Sequence, residues 1–267
     1  MRFIWQILMA FWLCLTPAIA GDDKVDATET HNNWPYIMTA YLSEPEPNGL
    51  VRFDYAALSE NAEHLEVLDN YIVYLEAQTP HLMCVDSALG YWANLYNALT
   101  VRVVVENYPV ESIRKIGGSV FSPGPWKKNI AVVDYEKLSL DDIEHKKMRK
   151  VYRNPLIHYM VNCASVGCPN LKAGAWERAS LREDAEQAAR DFINSPRGVL
   201  ITEKGLTVSS IYKWYEEDFG GNKAGVLEHL RQYADSDLAE AIDGGAKIIG
   251  YDYDWSLNEA RKAQIDE

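Results

Sequence analysis

The sequence predicts a single α+β domain with a small antiparallel sheet packed by several helices. Three observations carry the α+β reading. Apolar residues recur at helical spacing over 61–77, 87–106 and 181–194. Short β-type runs bounded by turn formers lie at 198–201, 206–208 and 248–253. No repeat, low-complexity tract or Pro/Ser-rich linker divides the chain between them, so one domain over 34–258 is the economical reading. With 48% apolar and 24% charged residues, the composition is that of an ordinary globular domain.

Residues 1–20 read as an export signal. Arg2 gives a positive start, 3–15 is apolar apart from Gln6, Thr16 and Pro17 end the run, and Ala18-Ile19-Ala20 has the small-x-small pattern of a signal-peptidase site. The apolar run is shorter than the ~20 residues of a spanning helix. Leu13 stands where a small residue should precede a lipidated Cys14, which weakens a lipoprotein reading. Cleavage after Ala20 is expected, with a periplasmic or secreted product and a flexible polar leader over 21–33.

Residues 51–55 (V-R-F-D-Y) read as a short strand leading into 56–60. Leu65, Leu68, Ile72 and Leu75 mark the helix 61–77. Leu89, Trp92, Leu95, Tyr96, Leu99 and Val103 line one side of the helix 87–106, which Asn107-Tyr108-Pro109 ends. A stretch rich in turn formers (Gly117-Gly118, then S-P-G-P-W at 122–126) precedes a strand at 130–135. Ser139 as N-cap, with acidic residues behind it, starts a helix running to about Lys150. Pro155 resets the chain, and the apolar run 157–163 reads as a buried strand. After the helix 181–194, the turn Lys204-Gly205 joins 198–201 to 206–208 as a hairpin. An aromatic short helix (210–219) closes at Gly220-Gly221. Helices at 226–233 and 238–242, the strand 248–253 and a polar tail over 259–267 complete the chain.

Loss of residues 1–20 would remove Arg2 and Cys14 and take the net charge from −13 to −14. Such an acidic chain excludes nucleic acid as a partner, because phosphates need Lys and Arg. No later segment is long and apolar enough for a membrane span. The remaining cysteines are Cys84, Cys163 and Cys168, and in an oxidising compartment three imply one disulfide with an odd thiol, or a protected reduced set.

Residues 157–171, I-H-Y-M-V-N-C-A-S-V-G-C-P-N-L, concentrate His158, Asn162, Cys163 and Cys168. A cysteine activated by a nearby imidazole is a standard nucleophile. The same two cysteines could close a small disulfide ring, since a turn around Gly167 would bring their Cα atoms into the ~4.4–6.8 Å range of a bridge. A bridge containing the nucleophile would silence it until reduced. On a regular strand His158 faces Met160 and Asn162 and not Cys163, so catalysis requires a bend or bulge before Cys163, or Cys168 folding back.

Y-W-A-N-L-Y-N-A-L-T (91–100), G-G-S-V-F-S-P-G-P-W (117–126), S-L-D-D-I-E-H (139–145), the 157–171 segment, V-S-S-I-Y-K-W-Y-E-E-D-F (208–219) and Y-D-Y-D-W-S-L-N (251–258) together resemble the domain of unknown function 547 family. The resemblance implies a fold similar to papain-like and transglutaminase-like cysteine enzymes. It also implies a cysteine–histidine–glutamate site with thiol peptides such as glutathione among its substrates.

On that footing Cys163 is the preferred nucleophile, with Cys168 the second candidate, His158 the base and Glu144 the group that orients the imidazole. His145 is an alternative base. Asn94 and Asn97, three apart on one helix face, could bind substrate or donate to an oxyanion, or brace the core. Arg102 could take a substrate carboxylate or form a surface ion pair. No metal site or cofactor is implied: the histidines are scattered, and Asp252 with Asp254 is too little for calcium.

The leading expectation is an exported cysteine hydrolase or acyltransferase acting on amide bonds of small peptides. The alternative is a non-catalytic binding or scaffold domain stapled by Cys163–Cys168. Thiol–disulfide chemistry ranks third, since the spacing is C-x₄-C and not C-x-x-C. The oligomeric state is not legible.

Overall fold

The computed structural model describes residues 31–119 and 122–260. The export signal, its cleavage point and most of the leader lie outside the described residues, as does the tail beyond 260. The first helix among the described residues, Asn33–Tyr41, begins one residue before the expected domain start.

The helix Val85–Glu106 forms the centre of the core. It is buried on nearly every face, including Ala93, Leu95, Ala98 and Val104. A helix hydrophobic all round has to be enclosed by other elements. Tyr55–Ser59 and Ala62–Glu76 pack against it from one side, and the segment Ile143–Arg149 from another. Asp54 and Asn61 cap the first two of these, accepting from Ala57 N and His64 N. The expected strand at 51–55 is reduced to bridges at Phe53, because Asp54 caps a helix where a longer strand would have to continue. One of those bridges joins Phe53 to Glu259, which ties the start of the supposed tail to the body.

The α+β class holds, while the single small antiparallel sheet is corrected. Gly118–Ser119 pairs with Ser122–Pro123, and Ala131–Val133 pairs with Glu136–Leu138. The latter hairpin turns at Asp134 and Tyr135, both in the left-handed region (φ 49° and 64°), as a two-residue hairpin turn demands. The third sheet is mixed. Val199–Thr202 runs antiparallel to Gly205–Ser209, which runs parallel to Ile248–Asp252. A parallel neighbour needs a crossover, and 210–247 supplies it with the helices Ile211–Trp214, Lys223–Tyr233 and Ser236–Asp243.

Two further departures shape the site. Residues 157–163 are not a strand. Pro155–Tyr159 is a 3₁₀ helix with proline in its first turn and the Asn154 side chain accepting from Leu156 N at 3.0 Å, and 161–163 is irregular. An apolar run of that length is ambiguous by periodicity, and the Asn-Pro pair before it is the signal for a helix start. The helix after Ser139 does form, with a reciprocal capping box between Ser139 and Asp142. Its middle, Ile143–Arg149, is π-wound. With i→i+5 closure, positions five apart stack over one another, whereas in an α-helix they diverge by about 140°. Glu144 and Arg149 are thereby brought to one side.

His229, on Lys223–Tyr233, lies against Tyr159, whose hydroxyl is 2.8 Å from Nε2. Burial, and then the charge of His158, pulls its imidazole from 6.5 down to about 4. The unfolded chain takes up the proton first as pH falls, so this contribution is complete above pH 6.5 and is lost between pH 6.5 and 4. The loss is on the order of 3 kcal/mol. We expect the urea midpoint to fall across that window and the His229→Gln protein to show a flatter slope; equal slopes would refute the assignment.

Candidate functional site

The loop carrying both cysteines is held by side chains in place of a sheet. Asn97 on the central helix donates from Nδ2 to Met160 O (2.9 Å) and accepts at Oδ1 from Asn162 N (2.9 Å). The Asn162 side chain passes this on, donating to Pro169 O (2.6 Å) and accepting from Ala164 N (2.7 Å). Cys163 thus sits between two anchored neighbours. Ala164 adopts φ 59°, a left-handed conformation that costs a non-glycine residue roughly 1–2 kcal/mol. Such strain persists only where the surroundings over-determine it.

The C-terminal segment closes the loop from the other side. Val166 N and Gly167 N donate to Ser256 O (2.9 Å) and Asp254 O (2.8 Å). A Cβ on Gly167 would lie 2.9 Å from Asp254 N and from the Tyr253 ring, so only glycine allows this approach. Arg197 reaches in to donate to Val166 O (3.2 Å), Cys168 O (2.6 Å) and Asn170 Oδ1 (3.0 Å). Burial pulls its guanidinium down to about 10. It acts here as a multi-carbonyl clamp on the loop.

This loop, the π-wound segment and the residues after Ile248–Asp252 enclose a cavity of about 510 Å³. Cys163, Cys168, His158 and Glu144 all line it, so the structure brings the proposed nucleophiles, base and carboxylate to one space. Aromatic walls come from Tyr96, Trp126, Trp214, Tyr215, Tyr253 and Trp255.

His158 is 3% exposed and stacks on Tyr215 with centroids 4.3 Å apart. Its Nε2 is 2.7 Å from Asp218 Oδ2, which also accepts from Arg149 Nε at 2.6 Å. Burial alone would raise the Asp218 carboxyl, but the hydrogen bonds and charges of His158 and Arg149 outweigh it and hold Asp218 at about 2. The Asp218 carboxylate assigns the ring proton to Nε2 and leaves Nδ1 as the basic nitrogen. Among the described residues Nδ1 has no hydrogen-bond partner.

The group that orients His158 is therefore Asp218 and not Glu144. The sequence reading missed Asp218 because it lies 60 positions away, in Glu216–Phe219. Its only signal was a carboxylate inside an aromatic motif. Glu144 is 9% exposed and lines the cavity beside Tyr215, whose phenol is pushed far up by burial and then by the Glu144 charge. Among the described residues Glu144 makes no ion pair. His145 also lines the cavity, within 3.4 Å of Asp141 and 3.1 Å of Arg149.

The sulfurs of Cys163 and Cys168 are placed for a disulfide, with Cα atoms 6.3 Å apart. The hydroxyl of Tyr253 is 3.1 Å from Cys163 Sγ and 3.0 Å from Cys168 Sγ. Cys163 N donates to Cys168 Sγ at 3.0 Å. Cys84 stands apart, exposed and free, beside Ser87.

Asn94 and Asn97 do not line this cavity. Asn94 brackets the backbone of Trp176, donating to its O (3.1 Å) and accepting from its N (2.8 Å), and Asn97 serves the loop as described. Arg102 pairs with Asp69 and Glu106. Asp254 accepts from Ser256 N and Oγ, and Asp252 from Tyr253 N, as turn formers. Among the described residues no cluster could hold a metal ion, and no helix is long and apolar enough to cross a membrane.

Residues 81–193 match the model of a family described as "Protein of unknown function, DUF547". No curated protein and no solved structure matches the chain.

Proposed function

We propose that this chain, whose residues 81–193 match the DUF547 family model, is an exported cysteine hydrolase or acyltransferase acting on amide bonds of small peptides, on a papain- or transglutaminase-like scaffold. One observation carries the reading: Cys163, His158 and Glu144 line a single cavity, with Asp218 holding the far side of the imidazole. In the reduced protein His158 Nδ1 takes the Cys163 proton and the thiolate attacks the amide carbonyl. The C–N bond then breaks as His158 returns the proton to the departing amine. Water or a second amine takes the acyl group from the thioester. Glu144, without a cation of its own, would meet the ammonium or N–H end of the peptide.

The closeness of Cys163 and Cys168 favours a second reading, a binding or scaffold domain stapled by their disulfide. Turnover of small peptide amides, followed with and without reductant, separates the two. The hydrolase reading expects activity only after reduction, lost to iodoacetamide and lowered at least about 10³-fold by Cys163→Ser. A fully reduced protein that cleaves no peptide amide, or a Cys163→Ser protein as active as the parent, would sink it.

A further inference from the structure

We propose that the Cys163–Cys168 pair carries out thiol–disulfide exchange with a small thiol, Cys163 being the sulfur attacked and Cys168 the sulfur that leaves. This goes beyond amide cleavage and does not depend on it. The two sulfurs differ in the two properties that decide such a reaction: access to the sulfur attacked, and stabilisation of the sulfur expelled.

Both sulfurs border the cavity, but access favours Cys163, which is half-buried, whereas Cys168 is 4% exposed. Stabilisation favours Cys168. Two donors converge on its sulfur, the Cys163 backbone N–H at 3.0 Å and the Tyr253 hydroxyl at 3.0 Å. Hydrogen bonds to the ionised form favour that form. If the roles were reversed, Cys163 would leave with the Tyr253 hydroxyl at 3.1 Å and only a long contact to Ser165 Oγ at 3.6 Å.

The donors are also fixed in position. The Cys163 N–H cannot swing away while Asn97 holds Asn162 N and Asn162 holds Ala164 N. Tyr253 is locked by the packing of Gly167 on its ring and by Trp214 and Trp255, at 4.8 and 4.6 Å between centroids.

The step balances. The incoming thiolate forms a new S–S bond to Cys163 as the Cys163–Cys168 bond breaks, and the electron pair passes to Cys168, which remains as thiolate. A second thiol then attacks the mixed disulfide. It releases the oxidised small-thiol dimer and leaves Cys163 reduced, so two electrons have passed from two thiols to the protein pair.

The test uses oxidised full-length Cys84→Ser protein, exposed briefly to 2-mercaptoethanol at neutral pH, quenched in acid, treated with N-ethylmaleimide and mapped by peptide mass spectrometry. Cys163 is expected to carry the mercaptoethanol and Cys168 the maleimide, with at least a tenfold preference. An adduct mainly on Cys168, an even split, or a pair that never opens in the folded protein would overturn the proposal. This needs no substitution in the site. As a second arm, Tyr253→Phe should slow opening by about tenfold, one charge-assisted hydrogen bond being removed. It should also move the pH midpoint of Cys168 alkylation in reduced protein upward. An unchanged rate and midpoint in a folded variant would overturn the assignment of Cys168 as the stabilised leaving sulfur.

Discussion

Asp218→Asn is expected to lower amide turnover by roughly 10²–10⁴-fold, the scale seen when the carboxylate behind a catalytic imidazole becomes an amide. Asp218 does two things at once: it fixes which nitrogen of His158 carries the proton, and it holds Arg149 against the face of Tyr215, 4.5 Å from its centroid. An amide keeps the shape but can present an N–H to Nε2, which would turn the ring proton to Nδ1 and remove the base. A readout independent of any substrate is alkylation of reduced Cys163 by iodoacetamide near pH 7, expected to slow by tenfold or more. The substitution also removes a pH signature. A carboxyl held at about 2 instead of 3.8 contributes stability in full above pH 3.8 and loses it as pH falls toward 2. The urea midpoints of parent and variant should therefore converge across that window. Unchanged alkylation and turnover would show that His158 is not the base.

Asn97→Ala should be the most damaging single change to the loop. It strands Met160 O and Asn162 N in a buried setting where neither can find water. At about 1–3 kcal/mol for each of the two unsatisfied buried groups, the loss is about 2–6 kcal/mol. A typical domain has only about 5–15 kcal/mol in total. The measurement is the urea midpoint together with limited proteolysis, where new cleavage within 160–170 is expected to precede global unfolding. A midpoint shift near zero with no new cleavage would mean that the C-terminal segment and Arg197 hold the loop unaided.

Elements whose patterns are local were legible. The helices 62–76, 85–106 and 181–193 follow from apolar spacing, the Ser139 cap from its own chemistry, and the 199–209 hairpin from Lys204-Gly205. The fate of 157–163 was not legible. Its apolarity was read correctly as burial, but burial is common to a strand and to a 3₁₀ turn. The choice was made by Asn154-Pro155 upstream and by Asn97 some 60 residues away. The worry that strand alternation would turn His158 from Cys163 therefore falls away with the strand itself.

The sequence by itself determined the ingredients: an acidic chain, a thiol pair five residues apart, one imidazole close to them, and a capped helix bearing Glu144. Each is a property of neighbouring residues, and local chemistry suffices to read it. Only the tertiary structure decided the partnerships. Asp218 stands behind His158, Tyr253 touches both sulfurs, and the asparagines of the central helix serve as braces without lining the cavity. The reason is physical. A hydrogen bond forms between whichever groups the packing brings within 3 Å. In a fold whose site is closed by a crossover and by its C-terminal segment, those groups lie 60 to 90 residues apart in the chain.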